Sequence, residues 1–220
     1  MTSTSTLEEL VGMMRRLRAE CGWKAAQTHR SLARHLLEET HELVEVLDQL
    51  DDAGPAPGVE TRDHLREELG DVLLQVLFHA AIAEERGWFD ADDVALTLRD
   101  KLLRRNPHVF GDVAERGGET DPARINELWE AAKAAERPRA DLHDGIPAAL
   151  PALARASKVL DRRERAGLPV PEVPEVPGGR ADVDPGTEVG EELLGLVARA
   201  RAQGVDPEQA LRDALRRLPG

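Results

Sequence analysis

Leucine spacing is the feature that most restricts the fold of this chain. Leu36, Leu43, Leu47 and Leu50 recur at intervals of seven, four and three residues. A helix turns 100° per residue, so these side chains form one narrow apolar stripe. A second stripe with helical spacing follows, made of Leu65, Leu69, Leu73, Val76 and Ala80. No segment shows the alternation of a strand, and the pattern predicts an all-α bundle.

The breaks between apolar segments predict where helices begin and end. Helices are expected at about 7–20, 32–50, 62–86, 90–106, 122–137 and 147–166, with a pair of short helices within 188–218. Ser31 is the expected N-cap of the second helix, and Asp90 or Asp92 that of the fourth. The Pro- and Gly-rich residues 169–187 are expected to form a flexible linker.

Composition excludes several classes of function. The net charge is −13, which disfavours binding to DNA, RNA or anionic membranes. No run of about 18 apolar residues is present, so no transmembrane helix is expected. Residues 1–10 lack the basic and apolar regions of a secretory signal. The single cysteine, Cys21, favours a reducing compartment, and we expect a cytoplasmic protein.

The second predicted helix carries an unusual group of carboxylates. Its segment LLEETHELVEVL has four glutamates and no lysine or arginine, although like charges three or four residues apart destabilise a helix. Glu39 and Glu42 are predicted on one flank of the leucine stripe, together with His35. Glu38 and Glu45 are predicted nearly opposite the stripe. For one such pair, a solvated surface is the simpler interpretation.

The third predicted helix repeats this arrangement. Glu68 and Asp71 form a second carboxylate pair three residues apart, on the same flank as Gln75. Two antiparallel helices can bring both pairs face to face. Four converging carboxylates suit a hard divalent cation, Mg²⁺ first, with Mn²⁺ as a substitute. The far side of this helix is also apolar, at Leu74 and Phe78, which predicts a second layer such as another subunit.

A basic cluster and a tryptophan are further candidate site residues. Lys101, Arg104 and Arg105 end the fourth helix, where cations complement the helix dipole or bind phosphates. Trp129 is either a packing residue or a surface that stacks on a base. With His35, these residues are the predicted substrate-binding set.

These motifs resemble the MazG nucleoside triphosphate pyrophosphohydrolases of the all-α NTP pyrophosphatase superfamily. That superfamily carries EExxE on one helix and ExxD on the next, matched here by residues 38–42 and 68–71. The segments CGWKAAQTHRSLARHLLEETHE, DKLLRRNPHVF, LWEAAKAAE and GIPAALPALARASKVL also resemble family segments. The resemblance covers most of residues 7–168. It implies that Glu39, Glu42, Glu68 and Asp71 hold Mg²⁺.

Two departures from the family pattern affect the expected domain organisation. The family opening CPWD reads CGWK here, in a loop near the base. Residues 188–220 look like the remains of a second MazG-like half without its EExxE helix, and we expect them to be inactive. The expected organisation is therefore a MazG-like catalytic helical domain over 1–140, a connecting helix over 141–168, the linker over 169–187 and the degenerate second half over 188–220.

The resemblance implies a Mg²⁺-dependent hydrolase that converts nucleoside triphosphates to monophosphates and pyrophosphate, and that works as a homodimer or higher homo-oligomer. Besides the four metal ligands, Glu38 is a catalytic candidate that orients or deprotonates the attacking water. Two alternatives stay open. One is a di-iron carboxylate bundle, because Glu38-x-x-His41 has the required spacing. The other is a nucleotide-binding regulatory protein without catalysis.

Overall fold

The computed structural model describes residues 5–111, 119–136, 140–171 and 184–219, and this part of the chain is all-α, as predicted. The helices are α1 Thr6–Glu20, α2 Gly22–Ala25, α3 His29–Ala53, α4 Val59–Glu85, α5 Ala91–Arg105, α6 Pro107–Phe110, α7 Pro122–Glu136, α8 Ala152–Arg165, α9 Pro185–Ala202 and α10 Pro207–Arg216. None of the helices in these ranges is both long and apolar enough to cross a membrane. The short helices α2 and α6 were not predicted.

The chain divides into two compact units, Met1–Ala132 and Lys133–Gly220. The first unit contains α3 and α4, the helices that carry the two acidic motifs. The predicted domain boundary, at residue 140, falls eight residues after this division. Most of the predicted linker, residues 172–183, lies outside the described residues, so the linker stays a prediction.

Helices α3 and α4 form the antiparallel pair that dominates the first unit. The turn between them passes through Gly54, whose φ of 70° favours glycine. The predicted N-cap of α3 is wrong: the helix begins at His29, with Thr28 before it. The Ser31 amide donates to Thr28 Oγ1 over 3.1 Å, and the Thr28 amide donates to Ser31 Oγ over 2.9 Å. Ser31 therefore occupies the third helical position of a reciprocal cap.

The core of the first unit lies between α1, α3 and α4. Its buried cluster contains Met14, Leu32, Phe78, Ala81 and Ile82, with Leu74 packed against it. The predicted core stripes are partly wrong, because Leu47, Leu69 and Val76 are 44%, 51% and 42% exposed. Helix α4 is apolar on two sides, and its buried side is the one that carries Leu74 and the large Phe78 ring.

Because the buried face of each helix differs from the predicted stripe, some carboxylates lie in packed surroundings. On α3, Glu39 falls between the buried Leu32 and Val46, all within about 40° of one another around the helix axis. On α4, the buried face carries Glu68 and Gln75 together with Phe78. Glu39 and Glu68 thus lie on the packed faces of the two helices, whereas Glu42 is exposed.

Arg18 joins α1 to the segment that leads into α3. Its side chain is buried and donates to both carboxylate oxygens of Glu85 on α4. The same guanidinium donates to the carbonyl oxygens of Lys24, Ala25 and Gln27. One arginine therefore fixes the short α2 segment, which carries Trp23, against the body of the first unit.

The second unit has its own core, in which Leu160 of α8 and Val197 of α9 are buried. Arg201 of α9 donates to the Ser157 carbonyl over 2.9 Å and to Asp161 over 3.2 Å. The helix predicted from residue 147 begins only at Ala152. Pro151 is its N-cap, and the residue before a proline is driven away from helical geometry.

Candidate metal centre

Three glutamates from α3 and α4 meet at one point. Each of Glu39, Glu42 and Glu68 offers a carboxylate oxygen, and these three oxygens lie within 4.8 Å of one another. Glu39 and Glu42 lie one turn apart on α3, and Glu68 faces them from α4. A cluster of this size matches the span of oxygen ligands around one divalent cation, each about 2.0–2.5 Å from the ion.

Asp71 belongs to the same electrostatic group. The pKa of Glu39 is raised above its ordinary value of 4.5, first by burial and then by the negative charges of Asp71 and Glu42. Glu68 adds a smaller contribution in the same direction, whereas the hydrogen bond from Gln75 opposes it. The other three predicted ligands therefore all influence the Glu39 carboxylate, and a bound cation would relieve the repulsion among the four.

Two buried oxygens at this centre lack a hydrogen-bond partner among the described residues. They are Oε2 of Glu68 and Oε1 of Gln75, on side chains whose residues are 8% and 4% exposed. Both atoms are acceptors, and a buried acceptor needs a donor or a cation. The donor set, all oxygen and mostly anionic, fits Mg²⁺ or Mn²⁺.

Two neighbours of the carboxylates were not among the predicted site residues. Gln75 Nε2 donates to Glu39 Oε1 over 3.4 Å, and His64 Nε2 lies 3.1 Å from Glu68 Oε1. His64 precedes Glu68 by four residues, a spacing that brings side chains together on a helix. That spacing was the available signal for His64, and the shared flank with Glu68 and Asp71 was the signal for Gln75.

Glu38 and His35 form a separate pair beside the cluster. Glu38 is exposed, and its Oε2 lies 3.0 Å from His35 Nδ1. The His35 ring in turn meets the Trp23 ring edge to face, with centroids 6.3 Å apart. Trp23 is 56% exposed. A histidine and an accessible aromatic ring therefore lie beside the acidic centre, about one turn away along α3.

The predicted substrate-binding residues of the first unit's later helices form another group. Lys101, Arg104 and Arg105 occupy the last two turns of α5. The Arg105 guanidinium lies over the Trp129 ring, 5.4 Å from its centroid, so two of the predicted residues are in direct contact. A guanidinium stacked on an indole is held in a defined orientation by a cation–π interaction. Binding of substrate by this group stays a prediction.

A helical pair that presents converging carboxylates defines a class of α-helical metal-site protein. Comparison with known proteins identifies the group within that class. Residues 27–110 match the MazG nucleotide pyrophosphohydrolase domain. The chain is 37% identical over 226 residues to the nucleoside triphosphate pyrophosphohydrolase/pyrophosphatase MazG of Thermotoga maritima, covering 96% of this chain and 82% of that protein. The chain belongs to the MazG family.

Three further proteins are similar to this chain. An uncharacterized 26.1 kDa protein of Streptomyces cacaoi is 42% identical, over 94% of this chain and 77% of its own. A nucleoside triphosphate pyrophosphohydrolase of Mycobacterium tuberculosis is 43% identical, over 89% of this chain and 57% of its own. The crystal structure of a MazG-related protein from Thermotoga maritima aligns with a TM-score of 0.45 at 22% identity, over 57% of this chain and 97% of that one.

Proposed function

We propose that this chain is a nucleoside triphosphate pyrophosphohydrolase that uses Mg²⁺, or Mn²⁺ in its place, to produce a nucleoside monophosphate and pyrophosphate. The observation that carries the proposal is the convergence of Glu39, Glu42 and Glu68 within 4.8 Å. The names of the MazG relatives from Thermotoga maritima and Mycobacterium tuberculosis support the reaction. The activity places the chain among hydrolases that act on acid anhydrides.

The carboxylates of Glu39, Glu42, Glu68 and Asp71 would hold the metal. When bound, the metal neutralises phosphate charge and lowers the pKa of a coordinated water. Glu68, which is buried, contributes a ligand with little freedom to move. A bound cation would offset the repulsion on Glu39, whose pKa is raised by burial and by three negative neighbours.

The remaining predicted residues would act on the substrate. Glu38 Oε2 is the proposed proton acceptor, and His35 Nδ1, 3.0 Å away, would share or relay that proton. Lys101, Arg104 and Arg105 would bind the pyrophosphate portion through charge-assisted hydrogen bonds. Trp129, contacted by Arg105, would bind the nucleoside.

The exposed apolar side of the α3–α4 pair supports a homodimer or higher homo-oligomer. Leu47, Leu69 and Val76 lie exposed on helices whose opposite sides are already packed, and burying large apolar groups favours association. A second copy of this chain is the proposed partner. With a single free cysteine, we place the protein in the cytoplasm, where it would act on the nucleotide pool.

The two alternatives are less well supported by the geometry. For a di-iron centre, His41 would be a ligand, but His41 is exposed and its Nδ1 lies 2.6 Å from the Leu37 carbonyl oxygen. The acidic cluster found among the described residues contains glutamates alone. For a non-catalytic nucleotide-binding protein, some of the predicted ligands would be missing, yet Glu39, Glu42, Glu68 and Asp71 are all present.

Substitution of the ligands tests the proposal. Glu39→Gln and Asp71→Asn should lower pyrophosphate release from a panel of nucleoside triphosphates with Mg²⁺ by at least about 100-fold, because ligand charge is lost. The matched control is Glu45→Gln, an exposed glutamate on α3. Its turnover should equal that of the wild type, and all three variants should keep the wild-type helical circular dichroism. Turnover retained in the ligand variants would refute the proposed function.

A further inference from the structure

Gln75 is the most buried polar side chain at the acidic centre, at 4% exposure. It lies on α4, four residues after Asp71 and seven after Glu68, which places the three side chains on one face of the helix. Its Nε2 donates to Glu39 Oε1 over 3.4 Å. Gln75 therefore links α4 to the carboxylate of α3 that feels the charges of the other three.

The orientation of the Gln75 amide follows from this contact. A reversed amide would place Oε1 against a carboxylate oxygen, and two acceptors facing each other repel. With Nε2 toward Glu39, the Oε1 atom is buried and without a partner among the described residues. A buried acceptor of this kind destabilises the metal-free protein unless something donates to it.

We propose that Gln75 is a positioning residue of the metal centre: its Nε2 holds the Glu39 carboxylate toward Glu42 and Glu68, and its Oε1 accepts a hydrogen bond from a water on the bound cation. The inference rests on the proposed function, because it assumes a cation at this centre. Partners in the outer shell of a metal site orient the ligands and tune affinity. Mg²⁺ and Mn²⁺ keep several waters that can donate such a hydrogen bond.

Binding of Mn²⁺ alone to the full chain, without nucleotide, tests the inference. Gln75→Met keeps the length and volume of the side chain but removes both polar atoms. We expect its dissociation constant for Mn²⁺ to rise about 10-fold or more. The melting temperature of the metal-free variant should stay close to that of the wild type, because the loss of the hydrogen bond to Glu39 and the removal of an unsatisfied buried oxygen act in opposite directions. If Gln75 only stabilised the fold, its replacement would lower the melting temperature and leave the affinity for Mn²⁺ unchanged.

Gln49→Met is the matched control, because Gln49 is an exposed glutamine on α3, and it should bind Mn²⁺ as the wild type does. Gln75→Leu repeats the measurement with a different apolar side chain. Unchanged Mn²⁺ affinity in the Gln75 variants, with or without a lower melting temperature, would overturn the inference while leaving the metal centre intact. Failure of the wild type itself to bind Mn²⁺ would overturn the metal centre and the inference together.

Discussion

At the scale of single residues, Glu39 is a carboxylate whose surroundings disfavour its negative charge. Its carboxylate lies on the packed face of α3, between the buried Leu32 and Val46. Burial and the charges of Asp71 and Glu42 both favour its protonated form. The ionised form of Glu39 is therefore destabilised in the folded protein relative to the unfolded chain.

The pH dependence of stability should reveal this cost. Since the folded-state pKa of Glu39 is raised above 4.5, its contribution to stability is fully present below that pH and is lost as the pH rises through the folded-state pKa. At about pH 7.5 in a chelator, Glu39→Gln should therefore be more stable than the wild type, by roughly 1 kcal/mol for three like-charged neighbours. Thermal melting from about pH 4.5 to about pH 7.5 measures this.

The comparison variant for this prediction is again Glu45→Gln, whose side chain is exposed on α3. It should follow the wild-type melting curve at each pH. A Glu39→Gln protein that is less stable than the wild type at neutral pH would contradict the electrostatic account.

Residue identity and spacing predicted the acidic pairs but not their depth. Helical angles place Glu39 and Glu42 relative to the leucines, and Glu68 relative to Asp71, from the sequence alone. They do not decide which of two apolar sides of a helix becomes the core. The contact of Gln75 with Glu39 depends on that choice and on the separation of the two helices. The contact of His64 with Glu68 lies within α4, so its four-residue spacing was a signal that the sequence did offer.

At the scale of secondary structure, a histidine pair joins the start of α3 to the later part of α4. The Nδ1 atoms of His29 and His79 are 2.8 Å apart, and the rings are within 3° of parallel with centroids 5.1 Å apart. These values place the rings side by side, sharing one proton between the two nitrogens. The Trp88 ring stacks on His29 at 5.8 Å. Protonation of the accepting Nδ1 would break this hydrogen bond, because two N–H groups would then face each other.

Acidification should therefore weaken this contact. The pKa of His79 is lowered from 6.5, first by burial and then by His29, so the unfolded chain binds the proton more readily. The contribution of His79 to stability is fully present above about pH 6.5 and is lost as the pH falls through its folded-state pKa. His79→Gln can donate to His29 without titrating, so between about pH 7.5 and about pH 5.5 it should lose about 1 kcal/mol less than the wild type.

Chemical denaturation at each pH gives the free energies for this comparison. His41→Gln is the control, because His41 is exposed on α3 and its replacement should leave the wild-type pH profile unchanged. Equal pH profiles for His79→Gln and the wild type would show that the pair is not the titrating contact.

Helix ends were predictable where a local signal decides them. Asp90 caps α5 through a reciprocal bond with Asp93, and this cap was one of two proposed from the sequence. The start of α3 was misplaced by about one turn, because Thr28 and Ser31 both favour an N-cap. The short α2 depends on Arg18, which binds three of the carbonyl oxygens in residues 24–27. Such a long-range contact has no signal in the local sequence.

At the scale of the whole chain, the two compact units contain separate sets of buried residues. Leu32 and Phe78 belong to the first core, and Leu160 and Val197 to the second. The proposed metal ligands all lie in the first unit. Mg²⁺ or Mn²⁺ should therefore raise the melting temperature of that unit alone, because a ligand stabilises only the unit that binds it.

Differential scanning calorimetry should resolve two transitions. Leu32→Ala should lower the temperature of the transition that responds to metal, because it reduces the free energy of unfolding of the first unit by about 2–4 kcal/mol. Val197→Ala should lower the temperature of the other transition, with a smaller loss of free energy. Together the two variants assign the transitions without separating the units. A single transition that moves as a whole with metal would show that the units unfold cooperatively.

The proposed ligands all come from a short stretch of chain, between residues 39 and 71, on two consecutive helices joined by the turn at Gly54. Contacts between neighbouring helices form quickly, because little chain entropy is lost in closing a short loop. During synthesis, a growing polypeptide would possess the complete set of oxygen donors as soon as α4 had left the ribosome. Magnesium ions in the cell would then bind and stabilise the α3–α4 pair before the second unit had been translated.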